Sequence, residues 1–164
     1  MMFLSLTLEI IAFVIVIVLF FLSITIHYVP NNFIWIFKKK GKPYRILKPG
    51  IHFVFPFINK LVKKALIDEQ KCEIYLTNVV TKDGSNECFK IDYSYIIKDI
   101  NLYNYEFDLS DYIIISLRNY VVSVDIETLI YDLNLISNKI YAHIKEVIEA
   151  NGYSITKITI YYEK

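Results

Sequence analysis

The sequence predicts an α+β domain carried on a single apolar N-terminal helix. Three observations lead there. Residues 10–26 (IIAFVIVIVLFFLSITI) form an uncharged apolar run, and about 20 helical residues cross the hydrocarbon core of a bilayer. Strand-like segments then follow one another to about residue 97, the clearest alternating strictly between apolar and polar. Beyond them the apolar spacing becomes helical twice before a last alternating segment closes the chain. Strands in a run, then helices, then a returning strand describe an α+β fold.

The apolar run comes first. It is rich in β-branched residues, which disfavour helix in water, but in lipid the backbone must satisfy its own hydrogen bonds and helix wins. Glu9 would lie near its outer boundary, where a charge costs less than at the centre. A cleaved signal peptide would want a basic start and a small-residue cleavage site, and neither is present. A buried core helix would want a polar face, and none exists. A single span and a hairpin anchor within one leaflet both remain open. Residues 1–28 are thus expected to be the anchor, with residues 29–164 as the domain. Ile10, Phe13, Leu19 and Phe20 are expected to contact lipid.

Residues 33–38 read as a short strand, apolar at odd and even positions alike, as in a strand buried on both faces. Two turn signals follow, Gly41-Lys42-Pro43 and Pro49-Gly50, before a second apolar strand at 51–55 closed by Pro56. Residues 72–77 form a third. Lys82-Asp83-Gly84-Ser85 is a hairpin turn. The next strand has Phe89, Ile91, Tyr93, Tyr95 and Ile97 on one face. Leu109, Ile113, Leu117, Tyr120 and Val121 then fall at helical spacing, with Asp108 or Ser110 available to cap the start. Ile136, Ile140, Ile144 and Ile148 form a second helical stripe, supported by Lys145 and Glu149 one turn apart and stopped by Asn151-Gly152. Residues 154–162 alternate again, with Ile158, Ile160 and Tyr162 together.

Composition narrows the class. Of 164 residues, 55% are hydrophobic and 21% charged, and the mean hydropathy of +0.38 excludes a disordered chain. The formal net charge of +1 hides a division. Residues 27–64 carry nine Lys or Arg and no acid, whereas residues 65–164 carry nine basic and sixteen acidic side chains. A basic collar just behind an apolar span points to anionic lipid rather than nucleic acid. Lys38, Lys39, Lys40, Lys42 and Arg45 lie within about 20 residues of the span, where the positive-inside rule is counted. They place the larger part of the chain in the cytoplasm. Trp35 has the residue type and position of an interfacial anchor.

The segments Tyr28-Val29-Pro30, Gly41-Lys42-Pro43-Tyr44-Arg45-Ile46-Leu47-Lys48-Pro49-Gly50-Ile51-His52-Phe53 and Pro56-Phe57-Ile58-Asn59-Lys60 resemble the start of a stomatin/prohibitin/flotillin (SPFH, band 7) domain. Val79-Val80-Thr81-Lys82-Asp83-Gly84 is similar to that family's hairpin. The resemblance covers roughly residues 28–162, with Pro30, Gly41, Pro49, Gly50, His52, Phe53 and Pro56 as its motif residues. One departure is that Thr128-Leu129 is followed by a segment without the Arg-Glu pair of stomatin-type members. Family members continue into a long Ala/Glu-rich helix that builds coiled coils, and this chain is expected to lack it. The resemblance implies a membrane scaffold that forms homo-oligomers, organises membrane microdomains and regulates membrane proteins such as proteases or channels.

Candidate chemistry is thin. Cys72 and Cys88 lack metal spacing and are expected to be free, partly buried thiols that could face each other across a hairpin. His27 is expected at the interface, His52 in a structural role, and His143 on the surface. No phosphate-binding glycine loop or nucleophile elbow is present, so no enzyme activity, cofactor, metal or nucleic-acid partner is expected. A second reading is a membrane-tethered enzyme or ligand-binding module using the acidic body.

Overall fold

A computed structural model describes residues 2–39, 44–55 and 57–163. The elements run α1 (Met2–Thr25), β1 (Ile26–Val29), β2 (Phe33–Lys39), β3 (Arg45–Leu47), β4 (Gly50–Phe53), β5 (Asn59–Leu66), β6 (Gln70–Val80), β7 (Asn86–Ile97), α2 (Leu109–Val121), α3 (Ile126–Tyr131), α4 (Leu133–Ala150) and β8 (Tyr153–Glu163). The α+β expectation holds. The chain divides into two compact units, Met1–Ala65 and Leu66–Lys164.

The first unit contains α1 and two small sheets. β1 pairs antiparallel with β4, and β2 lies between β3 and β5. A small core of Val29, Phe37, Leu47 and Val54 is shared between them, with Phe33 and Trp35 packed against it. β2 is buried on both faces, since Ile34, Ile36 and Phe37 are all inside, as its unbroken apolar run requires. Lys64 places its ammonium 4.3 Å from the centre of the Trp35 ring, a cation–π contact that lets a lysine stem cover an aromatic face.

The second unit is built on a three-stranded antiparallel sheet, β6-β7-β8, with β7 in the middle. In β7, Phe89, Ile91 and Tyr93 are buried. They stand opposite Leu76, Ile74 and Cys72 of β6 and Tyr162, Ile160 and Ile158 of β8. This is the face toward the helices, for the Tyr93 hydroxyl meets Ser110 Oγ of α2 at 2.8 Å. Burial pushes the Tyr93 phenol above its usual range. Ile113, Leu117 and Val121 of α2 and Ile136, Ile140, Ile144 and Ile148 of α4 are all buried, each such side chain worth about 1.5–3 kcal/mol. On the other face Lys90 meets Glu73 at 3.0 Å and Asp92 at 3.4 Å. The hydrogen bonds of Lys90 and Tyr75 hold the Glu73 carboxyl below the usual carboxylate range.

Local chemistry sets the element ends. Asp108 Oδ1 accepts from the backbone N–H of Ser110 and Asp111 and caps α2, while Asp132 Oδ1 does the same for Leu135 in α4. A bulge interrupts β6 between Leu76 and Val79, where Asn78 takes φ 56°, a conformation asparagine tolerates better than most residues.

Four expectations need correction. Ile26, read as the last residue of the apolar run, opens β1. β3 and β5 were unforeseen as strands, and α3 as a helix. Glu149 meets Lys98 at 3.7 Å rather than Lys145. Cys72 stands opposite Tyr93 and Cys88 opposite Glu163, so the two free thiols do not face each other.

Candidate membrane interface

Within α1, Thr7–Thr25 is a 19-residue stretch long and apolar enough by composition to cross a membrane. At 1.5 Å per residue it is about 28 Å long, close to the ~30 Å hydrocarbon thickness. Its side chains are exposed around the whole circumference from residue 7 to residue 23, Ile10, Phe13, Leu19 and Phe20 among them. The hydroxyls near its end are satisfied within the helix: Ser23 Oγ donates to Phe20 O (2.8 Å) and Thr25 Oγ1 to Phe21 O (2.7 Å).

The helix passes into β1 without a turn. The Thr25 carbonyl, one of those left over at a helix C-terminus, accepts from Val54 N at 2.8 Å. That bond ties the helix end to the chain just beyond β4. In the β1–β4 ladder Ile26 stands opposite Phe53, and Tyr28 opposite Ile51. Facing residues in a ladder share one face of the sheet, so these four apolar side chains form a single surface. They are between 43% and 68% exposed. The opposite face holds Val29, which is buried, and the directly paired His27 and His52. His27 lies against Trp35 and Phe37, with ring centres 5.9 and 6.2 Å away.

The chain then turns back on the Phe55 carbonyl, which accepts from Ile58 N (3.3 Å), Asn59 N (3.1 Å) and Asn59 Nδ2 (3.0 Å). The turn carries Phe57 outward, 86% exposed, and leaves Phe55 and Ile58 exposed as well. Exposed apolar side chains grouped in this way are candidates for an interaction surface. Here it is covalently continuous with a helix of spanning length.

The residues expected to act at the membrane distribute as follows. Lys38 and Arg45 are exposed and Lys39 half-buried, while Lys40 and Lys42 lie outside the described residues. Trp35 is half-buried within the sheet, beneath Lys64. Of the motif residues, Gly41 and Pro56 lie outside the described residues. The Pro30 carbonyl accepts from Phe33 N at 3.1 Å to close the β1–β2 turn. Pro49 precedes Gly50, whose φ of +129° favours glycine at the start of β4. His52 Nε2 bonds the Lys48 carbonyl at 2.6 Å across that turn, and Phe53 belongs to the exposed apolar face. Sequence reasoning put Ile26 in the apolar run and Tyr28 at its interfacial end; what it missed is their pairing with Phe53 and Ile51 and the exposure of Phe57. The signal for the pairing was the repeated triplet, Ile26-His27-Tyr28 and Ile51-His52-Phe53, apolar at both ends around a histidine.

A model of the SPFH domain / Band 7 family matches residues 27–161. The chain is similar to a stomatin-like protein of Caenorhabditis elegans, 34% identical over 59 residues. That match covers 36% of this chain and 18% of the relative.

Proposed function

The chain belongs to the SPFH/Band 7 family, and from that premise we propose that it is a membrane-anchored scaffold that assembles laterally with other copies of itself. The observation that carries this reading is the continuity of α1 with the exposed apolar face of the β1–β4 ladder. The helix fixes the protein in the bilayer. The ladder face and Phe57 settle at the boundary between headgroups and acyl chains, where apolar side chains are stabilised by burial. The lysines and Arg45 of the collar add roughly 1 kcal/mol each near an anionic surface. Held this way, the domain stays close to the bilayer, and the basic collar orients it toward the cytoplasm.

The mechanism is physical rather than catalytic. Confinement to a membrane raises the local concentration of each copy, so weak side-by-side contacts suffice for assembly. The assembly then organises microdomains and regulates neighbouring membrane proteins, proteases or channels among them. Fractionation tests the first part: the protein is expected to remain with membranes through high salt, and release by salt alone would remove the anchoring claim. Size measurement in a mild detergent tests the second: multimers are expected, and a monomer at every concentration would overturn assembly.

A further inference from the structure

Between α2 and α4 the apolar seam opens into a cleft of about 250 Å³. Its floor is Ser116 and Ile140, both buried, and its rim is Asn119, Tyr120, Lys139 and His143. The polar groups arrive by helical spacing. Ser116 and Tyr120 lie one turn apart on α2 with Asn119 beside them, and Lys139 and His143 lie one turn apart on α4. No carboxylate lines the cleft. Glu127 and Asp132 line an adjoining hollow that shares Tyr120 and Lys139, Asp132 is engaged in capping α4, and Glu146 lies three residues beyond His143 on α4.

Ser116 is the anomaly. A buried helical hydroxyl ordinarily donates to the carbonyl four residues back, as Thr25 does to Phe21 and Ser137 to Leu133. Ser116 is only 8% exposed, yet its hydroxyl has no partner among the described residues. Ser116 lines the cleft, so its hydroxyl is available to donate to a molecule seated there. Asn119 and His143 side chains are likewise without partners among the described residues. Lys139 lies 3.4 Å from the Tyr120 hydroxyl and 5.7 Å from the centre of its ring.

We propose that this cleft binds the phosphate group of a small phosphate monoester. Lys139 supplies the fixed positive charge, and Ser116, Asn119, Tyr120 and His143 supply further donors from both helices. A phosphate monoester carries roughly −1.5 to −2 charge and three strong acceptor oxygens at pH 7, which matches one cation among several uncharged donors better than a two-oxygen carboxylate does. The residues all belong to the second unit, so this site stands or falls independently of the membrane reading.

The test uses the full chain in a maltoside detergent free of phosphate. The His143 ring and Asn119 amide signals are followed by NMR during titration with glycerol 3-phosphate, and with acetate at matched ionic strength. The expected result is a saturable shift with glycerol 3-phosphate that is about tenfold weaker in Lys139→Met, whose exposed side chain leaves folding intact. A second arm uses nanodiscs with and without phosphatidic acid. Shifts there but not with glycerol 3-phosphate would assign the phosphate to a lipid headgroup. No saturable shift in either arm, an equal response to acetate, or a Lys139→Met chain that titrates like the parent would overturn the proposal.

Discussion

At Gly152 the backbone around the residue decides its identity. Its φ is +82°, and a Cβ there would come within 2.6 Å of the Asp99 carbonyl oxygen and the Tyr103 nitrogen and 2.7 Å of Tyr103 Cα. All three are main-chain atoms, so no side chain can swing aside. The Gly152 carbonyl also accepts from Lys98 N (2.9 Å) and Asp99 N (3.2 Å), which holds the turn between α4 and β8 against the end of β7. Gly152→Ala is expected to cost roughly 3 kcal/mol, from left-handed strain plus the forced shift. Gly84→Ala is the control. Gly84 has φ +85° and nothing within 4 Å of its added Cβ, so only the strain of about 1 kcal/mol applies. Urea unfolding of the two chains, followed by far-UV circular dichroism, measures the difference. Equal losses would mean that the close approach at Gly152 is not tight in solution.

At the scale of the element, the β1–β4 ribbon and its following turn form the part of the protein that meets lipid in this reading. Trp35 is the single tryptophan, so a Trp35→Phe, Phe57→Trp chain reports on one position. Its fluorescence is expected to be quenched by lipids brominated high on the acyl chain and to shift to the blue on reconstitution. Unquenched, red emission in bilayers would place this turn in water. Much of the element plan was legible because burial leaves a periodic trace. Phe89, Ile91 and Tyr93 alternate in β7, and Ile136, Ile140, Ile144 and Ile148 recur in α4, each lining one buried face. β5 left no such trace: Lys60, Leu61, Val62, Lys63 and Lys64 are all exposed, so apolar and polar positions carry no contrast. The helix-to-strand change at Ile26 was hidden for another reason. The apolar run does not pause there, and the change is marked by a bond from Val54, far along the chain, to the Thr25 carbonyl. The exposed apolar face was hidden in the same way, since it exists only once Ile26 faces Phe53 and Tyr28 faces Ile51.

For the whole molecule the remaining question is which side of the bilayer carries the larger unit. The charge division supplies the expectation: the collar of Lys38, Lys39, Arg45 and their neighbours follows the span, and no Lys or Arg precedes it. By the positive-inside rule the second unit is then expected in the cytoplasm. Cys72 and Cys88 are half-buried and make poor reporters of topology. Tyr131 is 94% exposed and lies at the end of α3, so Tyr131→Cys in a Cys72→Ser, Cys88→Ser chain offers one accessible thiol. A membrane-impermeant maleimide is expected to label that thiol only after the cells are permeabilised. Labelling of intact cells would reverse the orientation and would leave the basic collar facing the outer leaflet. In that case its lysines would have to be explained by a partner other than the anionic cytoplasmic surface. Replacing Lys38, Lys39, Arg45 and Lys48 by Gln in the same reporter chain separates cause from coincidence. If the collar sets the orientation, a fraction of this chain inverts and becomes labelled in intact cells.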